Sequence, residues 1–501
     1  MSNIRRQSII SSVVIYFGFL LGFVNTYLYT RQGSFTEDQY GLVNTFIAIA
    51  SIMFSFANLG ASSYIFKFFP FYKDNLTKEK NDLATWALLI STFGFLLVII
   101  AGYAFKDIVV KKYVTNAPDL VKYYHWLFPF GFGLTVYTVT EAYAWQEGKS
   151  VFTNFLREVL FRIFTTVLIV LFFIKIIPDF DTYLKLYALT YIVLAGVLLT
   201  YLVVTHNISF HFGISRVTRK FYKKIMALSA FVWSGGLVYN IATVFDTLVI
   251  AAVLPKGMAL VGVYSLAQNI GSLIQAPQRG IVAASIAPLS RAWKDKDFAK
   301  IADIYKRSSI NQLIFSVAMF SLIVLNFNDG IFTFALKSSY NLALPVFLLI
   351  GLMRILDMGT GLNAQIIGTS VYWRFEFFTG IILLAMALPL NYLLTRSLGV
   401  IGPAISNLIA FTIYNLIRGI FLWKKLKMQP FSIKSLYTVL LGTGAYTVCF
   451  FLFRHHTGLL WIFTRSMVFT IIFITGTISL RLSPDVFHVL ETIKGRIRKT
   501  I

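Results

Sequence analysis

The sequence predicts an all-α integral membrane protein. About 14 transmembrane helices are expected, as two pseudo-symmetric six-helix lobes around a central cleft plus two C-terminal helices. Three observations predict it. Of 501 residues, 57% are hydrophobic and 13% are Asp, Glu, Lys or Arg, and the mean hydropathy is +0.72. A soluble domain carries about 25% charged residues, so this chain lacks the polar surface to cover several cores. Apolar stretches long enough to cross hydrocarbon recur along the whole length. The chain also repeats itself at an offset near 220 residues.

The expected spans are 8–30, 39–66, 83–104, 122–146, 152–175, 184–206, 225–254, 260–288, 309–335, 343–367, 374–396, 400–424, 435–453 and 459–481. The first is too long for a cleavable signal, and no small-residue cleavage site follows it. The fifth carries Arg157, Glu158 and Arg162. The end of the ninth is blurred by Asn326-Phe327-Asn328-Asp329-Gly330. After Leu482, Ser483-Pro484-Asp485 reads as a helix start. There Val486, Leu490, Ile493 and Ile497 form an apolar stripe beside Lys494, Arg496, Arg498 and Lys499, which is the pattern of an amphipathic helix on anionic lipid. A solvated tail fits the same residues.

The net charge of +24 reads as basic loops of a membrane protein rather than as a nucleic-acid surface. With the N-terminus inside, 29 of the 45 Lys and Arg fall in cytoplasmic segments and 11 in outer loops. This bias predicts both termini in the cytoplasm. The loop 105–121, with Lys106, Lys111 and Lys112 outside, runs against it. Cys449 is the only cysteine, so no intrachain disulfide or cysteine metal cluster can form.

The repeat joins spans 1, 2 and 4/5 to spans 7, 8 and 10/11. Gly41 matches Gly262, Lys73-Asp74 matches Lys294-Asp295, and Asn25-Thr26 matches Asp246-Thr247. Gly148-Lys149-Ser150-Val151-Phe152 matches Gly368-Thr369-Ser370-Val371-Tyr372. Six spans per copy give both copies one orientation, related by an axis along the membrane normal. The expected division is a first lobe at 1–206, a second at 207–424 with its preceding loop, and helices 13–14 with the tail at 425–501.

The stretch from Asp246 to Pro288 reads D-T-L-V-I-A-A-V-L-P, then V-G-V-Y-S-L-A-Q, then A-P and A-P-L-S. It resembles the polysaccharide flippases of the multidrug/oligosaccharidyl-lipid/polysaccharide exporter superfamily. Asp246, Gly262, Val263, Tyr264, Ser265, Ala267, Pro277 and Pro288 carry the resemblance, with Gln39-Tyr40-Gly41 at the second span. It implies a transporter that flips undecaprenyl-pyrophosphate-linked oligosaccharide from the inner to the outer leaflet of the bacterial cytoplasmic membrane, by alternating access. The product would feed surface polysaccharide or lipopolysaccharide biosynthesis. Partners implied are the lipid-linked oligosaccharide, H⁺ or Na⁺, the lipid bilayer, and the polysaccharide polymerase machinery. No cofactor, metal or nucleic acid is expected. Lipid II flippases usually carry an Arg shortly before the helix-8 proline, where this chain reads Ala267-Gln268-Asn269-Ile270.

A charge near mid-membrane costs about 2.5–3.5 kcal/mol on insertion scales, so each one inside a span needs a protein-facing reason. Arg grips phosphate bidentately. Arg279, beside Pro277, and Arg354 are therefore the expected pyrophosphate ligands, with Arg31 and Lys67 at span ends, where snorkelling competes as an explanation. Asp246, Asp357 and Glu141 are the expected ion-coupling carboxylates, against structural roles as caps or ion-pair partners. Arg354 and Asp357 share one helix face, and Glu141 with Arg157, Glu158 and Arg162 forms a matching network in the first lobe. Arg418 and Arg465 have no assigned role.

Enzyme signatures fail. Gly148-Lys149-Ser150 ends like a phosphate loop, but Tyr143 stands where its first glycine belongs. His455-His456 falls in a short outer loop. An ion-coupled multidrug antiporter and a lipid II flippase are the alternatives within the superfamily. A polysaccharide polymerase would need a large outer loop, and the longest here is 105–121.

Overall fold

The computed structural model describes residues 3–485, without the side chains of 3–13 and of a few later residues, Arg279 among them. The expected amphipathic stripe from Val486 to Ile497 lies outside the described residues. The described chain is helical throughout its spans, because lipid offers backbone groups no partners and a helix satisfies them internally. All fourteen expected stretches fall on helix. Among the described residues, nine stretches are long and apolar enough to cross a membrane, and one of these, Arg374–Leu426, holds two helices. Val14–Thr30 and Asn240–Val253 are shorter apolar helices, and Leu127–Gln146 and Ser150–Phe173 complete the set. The protein is a multi-pass membrane protein.

Several spans are not single rods. The second stops at Ala57 and restarts as Ala61–Asn75. Leu59 and Gly60 adopt φ of 43° and 80°, which ends a right-handed helix. The eighth breaks at Leu273–Gln275, just before Pro277, and resumes as Gln278–Lys294. At the repeat offset of 221, Leu59 and Gly60 correspond to 280 and 281, so the eighth span breaks about one turn earlier in the repeat than the second. The fifth contains one wide turn, Phe155–Leu160, between Ser150–Asn154 and Phe161–Phe173. The ninth runs unbroken from Phe298 to Thr333, through the polar stretch that blurred its end. The loop 105–121 is itself folded, with helices Lys106–Tyr113 and Pro118–Lys122.

Helix starts follow their local sequences. Thr36 and Gln39 form a reciprocal capping box at Glu37–Ala57. Asp179, Ser215 and Asp297 accept the N–H of Thr182, Thr218 and Lys300. Asp82 is fully buried and accepts from the Ser215 N–H (2.9 Å) and the Thr218 hydroxyl (2.7 Å). That carboxylate joins the start of Leu83–Ala104 to the start of the long helix Arg216–Val253.

By packing, the chain forms two compact units, Met1–Gly262 and Val263–Ile501. The first includes Arg216–Val253, which packs on Glu37–Ala57 and Ala61–Asn75. The repeat gives that helix to its second copy, so packing and internal similarity divide the chain by different criteria.

In the first unit the matched glycines Gly41 and Gly262 touch. A Cβ on Gly41 would strike the carbonyl of Met258, and one on Gly262 would strike the carbonyl of Glu37. Glu37 and Met258 are themselves 221 residues apart, as are the glycines. The contact is therefore reciprocal between two helix starts, as at a local two-fold axis.

Gly41→Val should lower thermal stability in detergent, by about 1–3 kcal/mol or more, because the obstacle is backbone. Gly196, on Thr190–Val204, has open space around its Cβ position. Gly196→Ala should leave the melting point unchanged or raise it slightly. Equal melting points for Gly41→Val and Gly196→Ala would contradict the contact.

Candidate functional site

In the first unit, the first and fifth spans approach closely because the first is notched by Gly18 and Gly22. A Cβ on Gly18 would lie 2.6 Å from the Glu158 carbonyl, and one on Gly22 would lie 3.1 Å from the Arg162 guanidinium. Small residues four apart let transmembrane backbones meet. Asn25, one turn on, donates to the Arg162 carbonyl (2.9 Å) and accepts from Thr166 (2.6 Å). Arg162 pairs with Glu158 at 3.1 Å and stands over the Phe19 ring.

Glu141, only 2% exposed, accepts from Arg157 at 3.0 Å. Arg157 and Glu158 both belong to the wide turn of the fifth span. Such turns add a residue and redirect side chains, and they recur at functional sites. Sequence reasoning grouped these charges correctly. It missed Gly18 and Gly22, although the Gly-x-x-x-Gly spacing was readable.

Asp246 is 3% exposed, two turns before the end of Arg216–Val253. The end of that helix is held by Tyr113, donating to the Leu248 carbonyl (3.4 Å), and Asn116, donating to the Ala252 carbonyl (3.0 Å). Arg31 is exposed just past Asn3–Thr30, 5.7 Å over the Phe173 ring. Lys67 is exposed on Ala61–Asn75. These two cations sit at opposite ends of the second span, so the structure does not bring them together.

In the second unit, Asp357 is a hub for amides. Its carboxylate accepts from Gln275 (3.4 Å), Gln278 (3.3 Å) and Asn415 (3.2 Å). Asn415 in turn accepts from Asn363 (2.8 Å) and Thr360 (3.1 Å). The two glutamines flank Pro277, so the helix break and Asp357 meet. Arg354 is half-buried one turn earlier on Ala343–Gly359. Arg279 lies on Gln278–Lys294, next to Gln278, and its side chain is outside the described residues. Of the expected site residues, Arg354 and Asp357 thus share one region with the helix that bears Arg279.

The two unassigned arginines have structural partners. Arg418, 2% exposed, pairs with Glu376, donates to Thr379 (3.1 Å) and lies 3.7 Å over the Tyr414 ring. Arg465 pairs with Asp329 (2.6 Å) and donates to Asn326 (3.0 Å), tying Leu459–Ser479 to Phe298–Thr333. Among the described residues, no three His, Cys, Asp or Glu side chains converge as metal ligands.

Residues 4–292 match the family model described as polysaccharide biosynthesis protein. No curated protein sequence matches the chain. Among solved structures, the lipid II flippase MurJ in an inward-closed conformation aligns with a TM-score of 0.73 at 15% identity, covering 94% of this chain and 99% of that one. An inward-facing multidrug resistance MATE transporter of the MOP superfamily aligns at 0.66 and 17% identity, covering 83% and 94%. A MOP-superfamily transporter from Pyrococcus furiosus aligns at 0.57 and 17% identity, covering 83% and 95%. The fold is that of this transporter superfamily.

Removing one partner of a buried ion pair leaves a charge stranded and costs about 3–5 kcal/mol. Arg465→Met should therefore melt far below the parent in detergent, and adding Asp329→Leu should recover much of the loss. A single variant as stable as the parent would contradict the pairing.

Proposed function

Since this chain belongs to the polysaccharide biosynthesis protein family, we propose that it flips undecaprenyl-pyrophosphate-linked oligosaccharide from the inner to the outer leaflet of the bacterial cytoplasmic membrane. The family match over 4–292 is the observation that carries this reading. The fold alone does not choose between cargoes, because lipid II flippases and multidrug transporters share it. In this reading both termini are cytoplasmic, the lobes are 1–206 and 207–424 with 425–501 appended, and transport runs by alternating access. The chain acts as a transporter, not an enzyme, beside the polymerase machinery that consumes its product.

The head group carries roughly two negative charges that lipid cannot solvate, so the path must offer cations. Arg279 and Arg354 are the principal phosphate ligands, on helices that meet at Asp357, and Arg31 and Lys67 receive the head group near the span ends. Asp246, Asp357 and Glu141 are the groups through which H⁺ or Na⁺ couples. Burial of Asp246 and Glu141 supports this, since a buried carboxylate responds strongly to a bound cation.

A deletion strain should lose surface polysaccharide and accumulate lipid-linked glycan on the inner leaflet, as read by mass spectrometry and leaflet-specific labelling. Drug sensitivity with intact polysaccharide would favour the multidrug reading instead. Asp246→Asn should abolish complementation while the protein still folds and inserts; full complementation would make Asp246 structural. Arg279→Lys should retain partial export and Arg279→Gln should lose it, because Lys keeps the charge without the bidentate fork. Normal export by Arg279→Gln would remove this residue from the path.

A further inference from the structure

The first unit carries an open cavity of about 760 Å³, at the end where Thr36 and residues 115–123 and 179–181 meet the turn after Val253. None of the residues assigned above to phosphate or ion coupling lines it. Its wall holds Asp38, Asp119, Asp179 and Asp181 against Lys122 and Lys256. Four carboxylates and two ammonium groups leave a formal charge of minus two.

These groups are held by neighbours yet keep acceptor capacity. Asp179 takes the Thr182 N–H at 2.7 Å. Asp181 pairs with Lys185. An ionised carboxylate offers about four lone-pair sites, so each retains places for further donors. Since no three such side chains converge among the described residues, the carboxylates are not grouped for a metal ion.

Fixed acceptors, two ammonium donors and the rings of Tyr123 and Phe180 suit a ligand dense in hydroxyls. Each hydroxyl both donates and accepts, and the C–H faces of a sugar ring pack on aromatic rings. The negative balance repels carboxylated sugars at short range. We propose that this basin binds the glycan of the cargo as it emerges, accepting neutral, hydroxyl-rich sugars and rejecting acidic ones. The proposal rests on the flippase reading and on its orientation, which puts this end outside.

The test uses the purified full chain in lipid nanodiscs and soluble glycans. The probes are neutral trisaccharides of hexose and N-acetylhexosamine, and trigalacturonate. Saturation-transfer NMR should show neutral glycans binding and trigalacturonate not. Thr115 is exposed and lines the basin, so Thr115→Trp should narrow it and weaken neutral binding at least about tenfold without disturbing the fold, checked by size exclusion. Asp119→Lys brings the formal balance to zero and should raise trigalacturonate binding above the parent. The proposal is overturned if no neutral glycan binds, if trigalacturonate binds the parent equally well, or if Thr115→Trp binds like the parent. The same variants in the export assay separate the two readings. A parent that exports no lipid-linked glycan refutes the flippase reading. A parent that exports, with glycan affinity unmoved by the basin variants, refutes the basin alone.

Discussion

A polar group carried into hydrocarbon must find its partner inside the protein, and that constraint selects which helices of this chain pack together. Asn25 holds the first span to the fifth through the Arg162 carbonyl and Thr166. Glu141 holds the fourth to the fifth through Arg157. Arg418 and Glu376 join the twelfth to the eleventh, and Arg465 and Asp329 join the fourteenth to the ninth. Burial of apolar area alone does not make these choices, because lipid tails are as apolar as the helix faces they would replace; close packing at Gly18 and Gly22 and the polar partners do. The exposed surface bears this out: Leu20, Phe93, Ile100, Phe378 and Phe463 face outward at no cost where lipid is the solvent.

The same constraint explains what could be read from the sequence. Span positions were legible because they follow from composition alone. The pairing of Glu141 with Arg157 was legible because the two are 16 residues apart, across one tight turn. The partners of Arg418 and Arg465 were not, since Glu376 and Asp329 lie on other helices and the sequence does not say which helices meet. The break at Leu59-Gly60 was hidden inside an apolar run, where glycine is common in transmembrane helices and need not mark a bend. Pro277 marked the break of the eighth span openly. The amide hub at Asp357 depends on Asn415, 58 residues away, and only the fold places them together.

Breaks and charged residues within the spans occupy the same places. The wide turn of the fifth span carries Arg157 and Glu158, and the break of the eighth brings Gln275 and Gln278 onto Asp357. A broken helix frees backbone groups and directs side chains inward, which is how transporters build polar sites within a membrane. The reciprocal contact of Gly41 and Gly262 is rigid by comparison, since neither can accept a side chain.

In the proposed reading a pyrophosphate-linked glycan crosses the membrane through this protein, and the membrane potential adds to the H⁺ or Na⁺ coupling in favouring its outward movement. Outward movement of negative charge gains about 2.3 kcal/mol per charge per 100 mV. The direct measurement is leaflet exchange of labelled undecaprenyl-pyrophosphate oligosaccharide in proteoliposomes holding an imposed potassium-diffusion potential. The account predicts exchange that requires the protein, accelerates when the side facing the glycan acceptor leaflet is positive, and slows when the potential is collapsed. Exchange equal to that of protein-free vesicles, or indifferent to the sign of the potential, would contradict it.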